Sequence, residues 1–133
     1  MKRMRRVLLL ALLVMAAALL AGCVGSNSSA EYHKISAADA KAKMDSGTAY
    51  TLVDVRTKEE YTAQRIDGAV NIPVDQIKDL AAAMLPDKDA LILIYCRSGN
   101  RSSSAAHTLV GLGYTNVYDF GGIIDWPYDT VTG

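Results

Sequence analysis

The stretch that most constrains this chain runs from Leu91 to Ser102. Leu91-Ile92-Leu93-Ile94-Tyr95 is apolar throughout. A strand without polar alternation is one buried on both faces, as in a parallel sheet covered by helices. It leads directly into Cys96-Arg97-Ser98-Gly99-Asn100-Arg101-Ser102, a run of small, polar and cationic residues around one cysteine. Ser102 to Leu112 then reads as a helix that Gly113 stops. In open α/β sheets such a loop lies beyond the carboxyl end of its strand, where ligands bind. Gly99 tolerates backbone angles that other residues avoid, so the loop can curl with its N–H groups inward as an anion-binding nest. The positive end of the following helix dipole adds to that field.

The rest of the chain repeats the alternation of strand and helix. Order is expected from Tyr32. Ser36 with Asp39 forms a capping-box pattern for a helix over Ala37 to Asp45, and Gly47 is placed to end it. Tyr50 to Val55 predicts a buried strand, and Thr57 with Glu60 predicts a short capped helix. Ala69 to Ile72 predicts a strand closed by Pro73. Asp75 is a candidate cap for a helix through Met84, with Ala81-Ala82-Ala83-Met84 as its core, ended by Pro86. Asn116 to Tyr118 predicts the last strand, with Trp126-Pro127 as a packed closing turn. The expected fold class is α/β: a three-layer domain with a mainly parallel central sheet of about five strands and helices on both faces.

The cysteine in the loop is the residue with chemistry to offer. A free thiol with a pKa near 8.5 is about 3% thiolate at neutral pH, and helix N-termini and nearby arginines lower that pKa. Cys96 is therefore a candidate nucleophile. The other possibility is an inert buried cysteine, common among free thiols. Arg97 and Arg101 are candidates to hold an anion by charge-assisted hydrogen bonds, although Arg101 could instead form an ion pair that shapes the loop. Ser98, Gly99, Asn100 and Ser102 offer backbone or side-chain donors, or a helix cap. Asp54 and Arg56 read as structural residues near the site, with Asp54 capping nearby backbone groups and Arg56 pairing with Glu60. Two histidines, His33 and His107, and one available thiol are too few soft ligands for a metal site, and no cofactor is expected.

Leu52-Val53-Asp54-Val55-Arg56, Glu59-Glu60-Tyr61 and Ile66-Asp67-Gly68-Ala69-Val70-Asn71-Ile72-Pro73 resemble the leading motifs of the rhodanese (sulfurtransferase) family. Cys96 to Ser102 resembles its active-site loop, and Gly113-Tyr114, Val117-Tyr118 and Gly121-Gly122 to Trp126 resemble its closing segment. One departure is Arg65, where many members have His. The resemblance implies sulfur transfer: Cys96 would take the outer sulfur of a donor as a persulfide and pass it to cyanide or a thiol. It also implies that the loop N–H groups stabilise the charge on sulfur. With Arg97 and Arg101 in the loop, a small anionic, thiosulfate-like donor is expected. Cysteine phosphatases and arsenate reductases are a rival reading, but phosphatases that share the fold place five residues between Cys and Arg. Here only four separate Cys96 from Arg101. A rival of another class is a non-enzymatic module that binds a partner or senses redox state.

The amino-terminal residues belong to a different problem. Lys2, Arg3, Arg5 and Arg6 precede an apolar run from Val7 to Leu20, the pattern of a secretory signal and short for a membrane span. Leu20-Ala21-Gly22-Cys23 resembles the lipobox of bacterial lipoproteins. That implies removal of residues 1–22, a lipid on Cys23 and a location in the cell envelope, on the periplasmic or extracellular face of a membrane. Residues 23–31 would be a flexible tether, polar over Gly25 to Ser29, and residues 32–133 the folded domain. With Cys23 so used, Cys96 has no disulfide partner. Loss of the four leader cations would leave ten basic against fourteen acidic residues, a net charge of −4. A mildly acidic domain argues against nucleic acid as a partner, and a monomer held to the membrane through its lipid anchor is expected.

Overall fold

The computed structural model describes residues 31–133. The expected leader, Cys23 as the expected lipidation site and nearly all of the expected tether lie outside the described residues. Five strands form one sheet in the order β1-β5-β4-β2-β3, every pair parallel. The strands are β1 (His33–Lys34), β2 (Thr51–Asp54), β3 (Val70–Asn71), β4 (Ile92–Cys96) and β5 (Val117–Gly122). β4 occupies the centre, and all five of its residues are buried. Parallel strands need crossovers, and the helices α1 (Ala37–Asp45), α2 (Lys58–Ala63), α3 (Ile77–Met84) and α4 (Asn100–Gly111) supply them.

Alternation along the strands divides the core in two. Val53, Ile92, Ile94 and Cys96 face one layer with Ile77 and Ala81 of α3 and Ala105, Ala106 and Leu109 of α4. Leu52, Leu93 and Tyr95 face the other, with Ala40 of α1, Phe120, Ile123 and Trp126. Each Val, Leu, Ile or Phe side chain buried in this way contributes about 1.5–3 kcal/mol. The domain is thus the expected three-layer α/β sandwich. Trp126 packs against Phe120 at 5.4 Å between ring centroids, so the closing turn is a packed one.

Local signals explain most element boundaries. The Ser36 hydroxyl accepts the Asp39 N–H at 3.0 Å, but it donates back to the Asp39 carboxylate at 2.8 Å, so the box on α1 is not reciprocal. On α2 the box is complete, with Glu60 N–H donating to Thr57 Oγ1 and Thr57 N–H to Glu60 Oε2. Asp75 caps nothing: α3 begins after Gln76, which makes no side-chain cap, because Val74 to Gln76 are already turning. Only Ala81 of the alanine run lies in the core, while Ala82, Ala83 and Met84 face outward. β1 carries too little apolar pattern to be read as a strand, and it exists by pairing with β5. The last strand continues past Tyr118 to Gly122, which brings its end beside Cys96.

Candidate active site around Cys96

Cys96 is the last residue of the central strand and is 1% exposed. Gly99 follows with φ +110°, a conformation that opens α4 two residues earlier than the Ser102 start expected from sequence. This sharp reversal folds the loop back over the sulfur. Gly99 N–H donates to Cys96 Sγ at 2.9 Å, and the thiol lies 3.5 Å from Ser102 Oγ. Ser102 is fully buried, and its hydroxyl also lies 3.1 Å from Gly99 O and 3.4 Å from Gly121 O. One hydroxyl proton therefore has two carbonyls and the sulfur as neighbours. When the thiol is protonated it donates to Ser102 Oγ; when it is ionised the hydroxyl can turn to the sulfur.

Burial opposes ionisation of Cys96. The Ser102 hydroxyl and the N–H groups of Ser102, Gly99 and Ser98 outweigh it, and the thiol lies below its ordinary value. These donors are the inward-facing N–H groups that the loop sequence anticipates, gathered at the start of α4.

The cations divide into three kinds. Arg56 is buried and pairs with Asp54, not with Glu60. Its Nη2 lies 2.7 Å from Asp54 Oδ2, its Nε contacts both carboxylate oxygens at 3.1 Å, and its own N–H donates to Asp54 Oδ1 at 2.9 Å. Arg56 Nη2 also donates to Gln64 O, so the pair ties β2 to the end of α2. Glu60 is taken instead by Arg101, in a two-point contact at 2.7 and 3.0 Å. The Arg101 guanidinium, together with Thr57 N–H, holds the Glu60 carboxyl down at about 2 despite partial burial. Arg97 stands apart: it is exposed, and among the described residues its guanidinium has no carboxylate partner. Its carbonyl is held by Ile124 N–H at 3.3 Å. Ser98 and Asn100 are exposed at the loop tip.

The loop rests on the end of β5. A Cβ on Gly122 would meet Arg97 O at 2.0 Å and Ser98 Cα at 2.6 Å, so only glycine permits this approach. Sequence reasoning registered Gly121-Gly122 as a motif without this contact, and it assigned no role to Asp119. Arg65, the departure from the family pattern, fastens the residues after the closing turn, through a backbone bridge to Val131 and a 2.5 Å bond from Nη1 to Gly133 O.

Three comparisons bear on this arrangement. The profile of the Rhodanese-like domain matches residues 36–127. The chain is similar to thiosulfate sulfurtransferase PspE of Escherichia coli (strain K12), 37% identical over 81 residues that cover 61% of this chain and 78% of that protein. It is also similar to thiosulfate sulfurtransferase GlpE of Pseudomonas entomophila, 37% identical over 108 residues covering 77% and 95%. Among solved structures it resembles a rhodanese with anions from E. coli, with 36% identity and a TM-score of 0.60, covering 64% of this chain and all of that one.

Proposed function

The chain belongs to the rhodanese-like domain family, and from that premise we propose that it is a sulfurtransferase carrying a sulfane sulfur on Cys96. The observation that carries this reading is the sulfur itself, at the end of the central strand with Gly99 N–H directed at it from 2.9 Å. The Cys96 thiolate attacks the outer sulfur of a thiosulfate-like donor. A bond forms from Cys96 Sγ to that sulfur, the donor's S–S bond breaks, and sulfite leaves with the electron pair. An acceptor thiolate or cyanide then attacks the outer sulfur of the persulfide, and Cys96 departs as thiolate. Both steps place negative charge on sulfur within reach of the loop donors, which do not have to reorganise to receive it.

Arg97 is the loop cation with its charge uncommitted, and it is the residue that holds the anionic donor. Arg101 shapes the loop through Glu60. That pairing also weighs against a phosphatase reading, since the cation that would clamp a phosphoryl group is already engaged. Ser98 and Asn100 border the donor site, and Ser102 assists ionisation of the thiol. The resemblance of residues 20–23 to a lipobox supports a lipid anchor on Cys23, which would hold the domain outside the cytoplasmic membrane as a monomer. Asp54 and Arg56 stay structural.

The test is intact-mass spectrometry of the freshly reduced protein after incubation with thiosulfate. The expected result is a one-sulfur adduct on Cys96 that cyanide removes and that Cys96→Ala lacks. Absence of the adduct with several donors would overturn the enzymatic reading in favour of a binding or redox-sensing module.

A further inference from the structure

Beside the nucleophile the sheet is irregular. From Ile94 to Cys96 β4 advances two residues, while its partner β5 advances three, from Asp119 to Gly122. β5 therefore carries a bulge of one extra residue within Phe120–Gly121, and Gly121 takes φ +87° to accommodate it. A bulge leaves a backbone group outside the ladder. Here the Gly121 N–H is taken by the side chain of Asp119, whose Oδ1 accepts it at 2.9 Å.

The other oxygen of that carboxylate is unusual. Asp119 is 1% exposed, and among the described residues its Oδ2 has no hydrogen-bond partner. A buried carboxylate oxygen without a partner weakens a fold. Stability therefore does not account for an aspartate here, whereas its hold on the bulge does.

We propose that Asp119 is a positioning residue for Cys96: by binding Gly121 N–H it fixes the bulge that sets the end of β5 against the nucleophile loop. Two contacts pass the effect on. Gly121 O lies 3.4 Å from Ser102 Oγ, which lies 3.5 Å from Cys96 Sγ. Gly122 sits against Arg97 and Ser98 with no room for a methyl group. A slip of one residue in β5 would remove Gly122 from beneath Arg97 and exchange which residues face the loop. The donors that stabilise the thiolate would then lose their aim. This role rests on Cys96 as the reactive thiol, and it deepens the sulfurtransferase reading by naming what holds the loop in place.

The test is the pH profile of Cys96 alkylation by iodoacetamide in the full chain, followed by mass on the peptide containing Cys96. Arg97, Arg101 with Glu60 and Asp54 with Arg56 keep their charges in these variants; the group removed is the Asp119 carboxyl, and loss of a negative charge alone would lower the pKa of Cys96, so a rise reports the loop's aim. In Asp119→Ala the apparent pKa of Cys96 should rise by about one unit, with correspondingly slower alkylation below that pKa. Asp119→Asn keeps an oxygen for Gly121 N–H and should stay within about 0.3 unit of the parent. A parent-like profile in Asp119→Ala overturns the proposal. So does an Asp119→Asn profile raised as far as that of Asp119→Ala, and so does a lowered one, which would mark a charge effect instead of a held bulge. If a thermal melt shows Asp119→Ala unfolded, Asp119→Leu replaces it, and loss of the fold in both overturns the proposal in favour of a purely structural role. Failure to form a persulfide would leave these profiles unchanged, so the two readings fail separately.

Discussion

β2 and β4 lie side by side and end at the same edge of the sheet, with Asp54 in register with Tyr95, yet their ends are built for opposite purposes. After β2 the arginine is turned inward. Arg56 is 4% exposed, and its donors are spent on Asp54 and Gln64 O. After β4 the arginine is turned outward, and Arg97 keeps its donors for solvent. The anionic group at each end differs in the same sense. The Asp54 carboxylate is matched by a cation in a closed pair, whereas among the described residues the direct partners of the Cys96 sulfur are neutral N–H and O–H groups, with the charge of Arg101 felt from further off. A carboxylate closed in an ion pair has no free charge to offer a substrate, whereas donors gathered around a thiol at the start of a helix favour its reactive, ionised form. The same edge therefore holds a closed clamp and, beside it, the candidate site.

Breaking the clamp should have the largest effect on stability. Asp54→Ala would leave Arg56 buried without its counter-charge, at a cost of about 3–5 kcal/mol. Urea unfolding should show the midpoint falling with little change of slope; a loss under 1 kcal/mol would mean that the two strand ends differ less than their geometry suggests. Arg97→Ala should leave that midpoint within about 0.5 kcal/mol, as for an exposed residue. It should raise the KM for thiosulfate roughly tenfold, the worth of one charge-assisted hydrogen bond. An unchanged KM would remove Arg97 from the donor site.

The smallest effect sharpens the comparison from the side. Glu60 has its pKa lowered from 4.5 to about 2 by Arg101 first of all. A carboxyl lowered on folding contributes stability that is whole above about pH 4.5 and is lost as pH falls from there through 2. Glu60→Gln should flatten that stretch of the stability profile, with a change at neutral pH of under about 1 kcal/mol, as for a half-exposed pair. Thermal melts between pH 2 and 6 would show it. A profile that kept its acid limb would place the titration elsewhere.

Much of this arrangement was legible in the residues because the signals are local. The apolar run Leu91 to Tyr95 needs two covered faces whatever surrounds it, and so it announces a central strand. Thr57 and Glu60 close their box within one turn. The loop from Cys96 to Ser102 declares donors and a turn through Gly99, and the structure closes that turn over the sulfur. Asp75 was misleading because a residue suited to capping says nothing of whether the chain is already turning before it. β1 was invisible for the opposite reason: two exposed residues become a strand only when β5 is there to receive them.

Sequence alone determined the alternation of strand and helix, the parallel sheet and the place of Cys96 at the end of the central strand, since each depends on residues near one another in the chain. Tertiary structure decided who pairs with whom. Glu60 lies 41 positions from Arg101 and only four from Arg56, yet it binds Arg101, because Asp54 already satisfies Arg56 at the strand end. Tertiary structure likewise brought Gly122 under Arg97, and the Asp119 bulge, through Gly121 and Ser102, to within two hydrogen bonds of the sulfur. These contacts depend on the register between β4 and β5, which no local pattern specifies, because it is set by how two distant strands meet across the core.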